Sequence, residues 1–408
     1  MAADHQHTGT GDPEPPGALH GLRVLDLSRF IAGPLCCQIL GDMGAEVVKV
    51  ERPGGEDGRR HRPFHEGHSL YTMMFNRNKH GITLDTRHPE AGGILSDLVA
   101  CSDVVVENFR PGTLEKMGIG WERIHAIAPR TVLVSISGYG QTGPNRDRAL
   151  FDAIAQAGSG LMSMTGDADG EPTMAGAFLA DHTAGFHGVM GTMMALAARE
   201  RTGLGQHVDI ACMDALFACM GTLPSAWAML GETSGRTGNR DQITVPANTF
   251  PTADGYVYLH AGTDALFPRL AAAMDDPGLA EDPRFRGQAD RLAHVEALED
   301  IVRGWTRRGS TPAICARLAE AGIPSSPVAT VAQATDSEQV RAREMMIEVE
   351  HPELGTLTLP GMPIKLGATP ARARKAPPTA GEDNTAVYGR LLGFTDERIR
   401  ALTDAGAI

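Results

Sequence analysis

The stretch from Leu22 to Glu51 restricts the fold more than any other part of the chain. Leu22-Arg-Val-Leu-Asp-Leu-Ser28 reads as a short buried strand. Gly33-Pro34 opens a helix through Leu35-Cys-Cys-Gln-Ile-Leu40 that ends at Gly41 or Gly44, and Ala45-Glu-Val-Val-Lys-Val-Glu51 is a second strand. A strand, a helix of roughly twelve residues and another strand make a βαβ unit, which implies a parallel sheet with a right-handed crossover. The pattern continues with a helix over 89–100 and strands at 103–107 and 131–136. The expected class is α/β, with a Rossmann-like open sheet. A dinucleotide site is not expected. The first βα turn, Ser28-Arg-Phe-Ile-Ala-Gly-Pro34, lacks GxGxxG, and Gly158-Ser-Gly160 lies in a helical stretch.

At 408 residues the chain exceeds the usual size of one domain, so two are expected. Residues 19–230 read as the large Rossmann-like domain, with a continuous apolar helix from Ala211 to about Leu230. The Gly/Thr/Asn-rich stretch from Gly231 marks a boundary, and residues 231–330 read as a smaller α/β domain. That region holds a strand at 256–260 and helices near 266–274, 291–307 and 312–321. Ile347-Glu-Val-Glu350 and Gly355-Thr-Leu-Thr-Leu359 suggest a hairpin, 368–379 an extended linker and 384–402 a terminal helix.

Residues 1–18 read as a disordered leader without a signal peptide's basic start and apolar centre, which points to the cytoplasm. A formal charge of -13 argues against nucleic acid or an anionic membrane as partner. No apolar run is long enough to span a bilayer. The six cysteines form no CxxC pair and no zinc-spaced cluster, so no metal is expected and reduced core thiols are.

One carboxylate stands out. An apolar run ends in Asp181, a small Gly-containing turn follows, and a helical pattern rich in Met, Ala and Leu runs from Gly188 to Arg201. Asp181 therefore belongs near a helix start. There it is either a helix cap or an ionised nucleophile favoured by the helix dipole.

Several segments taken together resemble one family. They are the first strand with Ala32-Gly-Pro34, Gly44-Ala-Glu-Val-Val-Lys-Val-Glu-Arg-Pro53, Asn76-Arg-Asn-Lys79, Glu107-Asn-Phe-Arg-Pro-Gly112 and Ser137-Gly-Tyr-Gly-Gln-Thr-Gly-Pro144. The Asp181 segment, Arg199-Glu-Arg-Thr-Gly-Leu-Gly-Gln-His-Val-Asp209 and Leu391-Leu-Gly-Phe-Thr-Asp-Glu-Arg-Ile follow in order. The chain resembles the class III CoA-transferases, which include formyl-CoA, carnitine and succinate CoA-transferases and α-methylacyl-CoA racemases. The likeness runs from about residue 19 to the end.

The resemblance implies an interlocked homodimer, with residues 331–408 as linker and return to the large domain. It implies an active site between the large domain of one subunit and the small domain of the other. It makes Asp181 the nucleophile that forms an anhydride with the acyl group and then an aspartyl-CoA thioester. CoA and acyl-CoA are then substrates, a carboxylic acid is the acceptor, and no cofactor is permanently bound. Ile31, Ala32, Arg52, Leu84, Arg87, Asn108, Phe109, Arg110 and Lys116 match positions that hold CoA. Tyr71 and Asp152 match positions near the substrate pocket, and His182 is pocket-lining or structural. From Arg52 to Lys116 nine Lys/Arg face nine Asp/Glu, so the anion site is local. Within that segment Arg59-Arg60-His61-Arg62 is either part of such a site or a solvated loop.

Two departures narrow the function. Ile31 stands where formyl-CoA transferases have Gln, and their Gly-rich loop is replaced by Thr237-Gly-Asn-Arg-Asp-Gln-Ile-Thr-Val-Pro246, which argues against oxalate or formate specificity. The racemases place a His before the Asp at 152; here it is Phe151, which carries no proton. The transferase branch is therefore expected, with succinyl-CoA among its donors, ahead of a racemase or a non-catalytic CoA-binding subunit.

Overall fold

A computed structural model describes residues 16–408; the expectation of a disordered leader falls, for residues 1–15, outside them. The chain divides into two compact units. The first comprises residues 16–159, 177–219 and 342–408, the second Gly160–Gly176 and Met220–Arg341.

The first unit is built on six strands: β1 Arg23–Asp26, β2 Glu46–Glu51, β3 Lys79–Thr83, β4 Val104–Glu107, β5 Val132–Ser137 and β6 His207–Ala211. Their order is β3-β2-β1-β4-β5-β6, and every neighbouring pair is parallel. Val24 pairs with both Val47 and Val104, which places β1 at the centre. Strands β2, β4 and β5 are almost wholly buried and rich in valine, as a sheet covered on both faces demands.

One face is covered by α1 Ala32–Asp42, all of whose residues are buried. It is also covered by α5 Leu179–Thr202, which lies against it. Small residues permit this close packing. A Cβ on Gly188 would stand 2.9 Å from Ile136 Cδ1 and 3.2 Å from Cys36 Sγ. The other face packs on α2 Ala91–Ala100, α3 Trp121–Ile127 and the C-terminal helices Asn384–Leu392 and Asp396–Asp404. Between α3 and α5 runs α4 Asp152–Gly158, and after β6 comes α6 Cys212–Cys219.

Charges are buried inside this sheet. Asp26 in β1 accepts from Lys79 Nζ at 2.8 Å and from Ser28. Lys49 Nζ donates to Ser28 O and lies 3.4 Å from Glu56, and Arg59 forks onto Glu51. Burial alone would raise the Asp26 carboxyl, but the Lys49 and Lys79 ammoniums outweigh it and hold it at about 2.

The Asn76-Arg-Asn-Lys79 run is explained by the same logic. Asn76 steadies Lys79, and Arg77 grips Asp42. Asn78 bonds the backbone of Arg372, Arg374 and Lys375 from the returning chain. The return also carries an antiparallel hairpin, Met346–His351 with Gly355–Pro360, and Tyr388 Oη donates to Thr83 O at 2.7 Å.

The second unit has its own three-stranded antiparallel sheet: Ala247–Pro251, Tyr256–His260 and Ser325–Pro327. Its core gathers Phe250, Phe267, Phe285, Val302 and Leu318.

Three helical expectations are corrected. The helix expected over 211–230 stops at Cys219 and restarts at Leu223, because Gly221 adopts φ +60. The one expected over 291–307 is two, Gln288–Ala293 and Val295–Thr306, divided at His294. The terminal helix over 384–402 breaks at Gly393, φ +67. Glycine at positive φ ends helices because only it takes that conformation without a Cβ penalty. Among the described residues no single helix is long and apolar enough to cross a membrane.

Removing Asp26 leaves two buried ammoniums short of their counter-charge. Asp26→Ala should therefore destabilise the first unit by about 3–5 kcal/mol in urea unfolding. A loss below about 1 kcal/mol would show that the buried charges do not support one another.

Candidate active site

Strand order reverses between β1 and β4, and the crevice beyond the strands' carboxyl ends at such a point is where open α/β sheets bind ligands. The turn after β1 is held from several sides. Phe30 has φ +65, a left-handed conformation costly for a bulky residue. Its N–H donates to Glu56 Oε2 at 2.9 Å, and Lys49 holds the carbonyl of Ser28. From the loop after β4, Asn108 accepts from Arg29 N at 2.8 Å and donates to Arg29 O at 2.6 Å. Asn108 thus stitches the two loops that flank the crevice.

The residues matched to CoA positions occupy this edge of the sheet, but not equally. Asn108 and Phe109 meet the first turn directly, and Arg29 lies over the Phe109 ring at 5.2 Å. Arg52, after β2, pairs with Asp57, which also attracts Arg29. Arg110 and Lys116 are exposed on the chain after β4, and Arg87 is exposed beside Asp85 after β3. The side chains of Ile31, Ala32 and Leu84 are buried in the core.

Beneath the Asn108 loop, Glu107 accepts from Phe109 N at 2.7 Å. Burial pushes its carboxyl up to about 7, against the hydrogen bonds of Ser135 and Phe109.

Asp181 is neither the cap nor followed by a turn. Helix α5 begins at Leu179, so Asp181 is its third residue, and Phe178 at the N-cap offers no side-chain bond. The cap comes from outside. Asp152, the first residue of α4, accepts from Ala180 N at 2.7 Å and Asp181 N at 3.1 Å. Gln156 Nε2 donates to its other oxygen at 2.6 Å. The Gly, Thr and His residues that hid the start of α5 in the sequence have structural reasons. A Cβ on Gly185 would stand 2.8 Å from Ala32 O, so glycine is what lets the first turns of α5 rest on the turn after β1.

The carboxylate of Asp181 accepts no hydrogen bond from the described residues. Burial first, and the neighbouring Asp152 charge second, push it up to about 7. A carboxylate without donors or counter-ion is poorly solvated, hence reactive once ionised. The nearby Cys212 thiol is raised to about 12 by burial and by both aspartates, so it stays protonated and offers no competing nucleophile.

Of the nearby aromatic residues, Tyr71 is close enough to feel this charge. Tyr71 meets Phe178 edge-on at 6.3 Å, and its phenol is raised by burial and then by Asp181. His182 bonds Phe178 O through Nδ1 at 2.7 Å and meets Phe75 at 5.9 Å. Among the described residues no group of three or more His, Cys, Asp or Glu side chains is placed to hold a metal ion.

Sequence reasoning missed Arg29, Lys49, Glu56 and Gln156. A charge within an otherwise apolar strand was the available signal for Lys49; nothing in the sequence pointed to the other three.

The chain is similar to known proteins along nearly its whole length. The family model for CoA-transferase family III matches residues 19–384. The chain is 38% identical over 391 residues to succinyl-CoA–D-citramalate CoA-transferase of Chloroflexus aurantiacus, covering 95% of this chain and 97% of that protein. It is 34% identical over 392 residues to succinyl-CoA:glutarate CoA-transferase of Mus musculus, covering 96% and 90%. The crystal structure of a CAIB/BAIF family protein from Brucella suis superposes with a TM-score of 0.84 at 34% identity, covering 92% of this chain and all of that one.

The raised Asp181 pKa has a stability consequence. A carboxyl at about 7 in the fold and 3.8 in the unfolded chain binds more protons when folded, so it costs stability as pH rises between those values. Asp181→Asn should therefore raise Tm relative to wild type by an amount that grows from pH 5 to pH 8 and then levels. A Tm difference independent of pH would show that Asp181 titrates as an ordinary carboxylate.

Proposed function

The chain belongs to CoA-transferase family III, and from that premise we propose that it moves CoA from succinyl-CoA to a small dicarboxylic acid through covalent intermediates on Asp181. The observation that carries this reading is the Asp181 carboxylate itself: half-buried, without a hydrogen-bond partner among the described residues, and raised well above the ordinary carboxylate range by desolvation.

The steps balance without redox or a net proton. An Asp181 oxygen attacks the thioester carbonyl, the C–S bond breaks, and CoA leaves as thiolate from a mixed anhydride. The thiolate attacks the aspartyl carbonyl, and succinate leaves as carboxylate from an aspartyl-CoA thioester. The acceptor carboxylate then attacks that thioester and expels CoA thiolate. The thiolate attacks the new acyl carbonyl and restores Asp181. An anhydride keeps the acyl group activated, so no nucleotide is consumed while water is kept out. Asp152 contributes by fixing the backbone of Ala180 and Asp181. Arg52, Arg87, Arg110 and Lys116 supply cations for the CoA phosphates, and Asn108 and Phe109 a wall for pantetheine.

Racemisation needs an acid–base group on each face of the α-carbon. Phe151, where such a group would stand, is 71% exposed and cannot transfer a proton, which favours transfer. The donor and acceptor follow the names of the relatives, which pair succinyl-CoA with D-citramalate and with glutarate.

Two subunits threaded through each other are part of this reading. Helices α5 and α6 expose Phe186, Met190, Met193, Met194 and Phe217. A monomer rarely leaves so much apolar surface to water, and a second copy would cover it.

Asp181→Ala should abolish transfer while CoA still binds, and hydroxylamine should inactivate the wild type only when acyl-CoA is present. Turnover above about a hundredth of wild type in Asp181→Ala rules out covalent catalysis by this residue. Unfolding should depend on protomer concentration. An active monomer seen by light scattering at nanomolar concentration rules out the threaded dimer.

A further inference from the structure

The basic run Arg60-His61-Arg62 has no place in the scheme above, yet it lies beside the nucleophile's aromatic wall. It begins at the last residue of the short helix Asp57–Arg60, and the backbone at His61 is fixed. His61 N–H donates to Gly58 O at 3.0 Å, and Ser69 Oγ donates to His61 O at 2.6 Å. The imidazole stacks on Phe30 at 5.9 Å and meets Tyr71 at 5.1 Å. Tyr71 in turn touches Phe178 and feels the Asp181 charge. His61 therefore stands one ring beyond Tyr71 from the reacting carboxylate.

Three neighbouring cations are committed. Lys79 serves Asp26, Lys49 serves Glu56 and Ser28, and Arg59 serves Glu51. Arg60, His61 and Arg62 are exposed, and their side chains make no ion pair or hydrogen bond among the described residues. Their only described side-chain partners are the two rings on His61. A dicarboxylate brings a second negative charge into a site that already holds Asp181 and Asp152. That charge, a few carbons from the reacting carbonyl, needs a cation or a hydrogen-bond donor to replace the water it leaves.

We propose that Arg60-His61-Arg62, with the His61 ring set against Phe30 and Tyr71, is the subsite that takes the distal carboxylate of dicarboxylic acyl groups. This rests on the proposed function. Donor acid and acceptor acid occupy the same place in turn, so one subsite selects both.

The test compares kcat/KM for succinyl-CoA against butyryl-CoA as donors, and for glutarate against butyrate as acceptors. His61→Leu keeps an apolar partner for Phe30 and Tyr71, and the double variant Arg60→Gln/Arg62→Gln alters only exposed side chains. In both variants the dicarboxylate-to-monocarboxylate ratio should fall at least about tenfold, through KM rather than kcat, in donor and acceptor alike. Dicarboxylate and monocarboxylate activities that fall together, or a ratio that does not move, overturn the subsite while leaving the transferase reading intact. A wild type that transfers CoA to no acid overturns both.

Discussion

The ion pairs of Asp26 with Lys79 and of Lys49 with Glu56 carry more of this structure than their size suggests. With Glu51 and Arg59 they place three carboxylates and three cations in or beside the two central strands, so the buried charge is balanced. Such a cluster gains little net stability over apolar packing, because desolvation offsets attraction. It gains definition instead. Lys49 holds the carbonyl of Ser28, Asp26 holds the Ser28 side chain, and Glu56 holds the N–H of Phe30. The turn after β1 can keep a left-handed Phe30 because each of these partners is itself immobilised.

A second constraint acts on Asp181, the proposed nucleophile. Asp152 takes the N–H groups of Ala180 and Asp181, so the helix start that would have solvated the Asp181 carboxylate is occupied by another anion. Burial first, and this neighbouring charge second, raise the carboxyl rather than lower it at a helix N-terminus, which reverses the sign expected from the dipole alone. The fold sacrifices stability there, as sites built for chemistry often do. Burial and like charge leave Asp181 less hydrated, and the protonated Cys212 beside it leaves the field clear.

The fold class was legible because a parallel sheet leaves a strong one-dimensional trace: runs of valine bounded by glycine, with a helix-length spacing between them. The position of Asp181 near a helix start was legible for the same reason. Its place within the helix was not. Gly185, Thr183 and His187 weaken the helical signal locally, and the compensation comes from Ala32 and Asp152, which are remote in sequence. Helix breaks at Gly221 and Gly393 were missed because a glycine inside an apolar pattern reads equally well as a tolerated residue or a terminator.

The sequence by itself determined most strands of the large sheet, though not β3, together with their parallel arrangement, the carboxylate at position 181, and the family likeness, since each is written in local pattern or residue identity. Tertiary structure alone decided that Asp152 caps the Asp181 helix, that Asn108 ties the two loops at the switch point, and that Asn76-Arg-Asn-Lys79 is structural. It also decided that His61 lies against Tyr71. These are contacts between groups far apart along the chain, and their energies depend on burial and on neighbouring charge. No window of sequence contains either quantity.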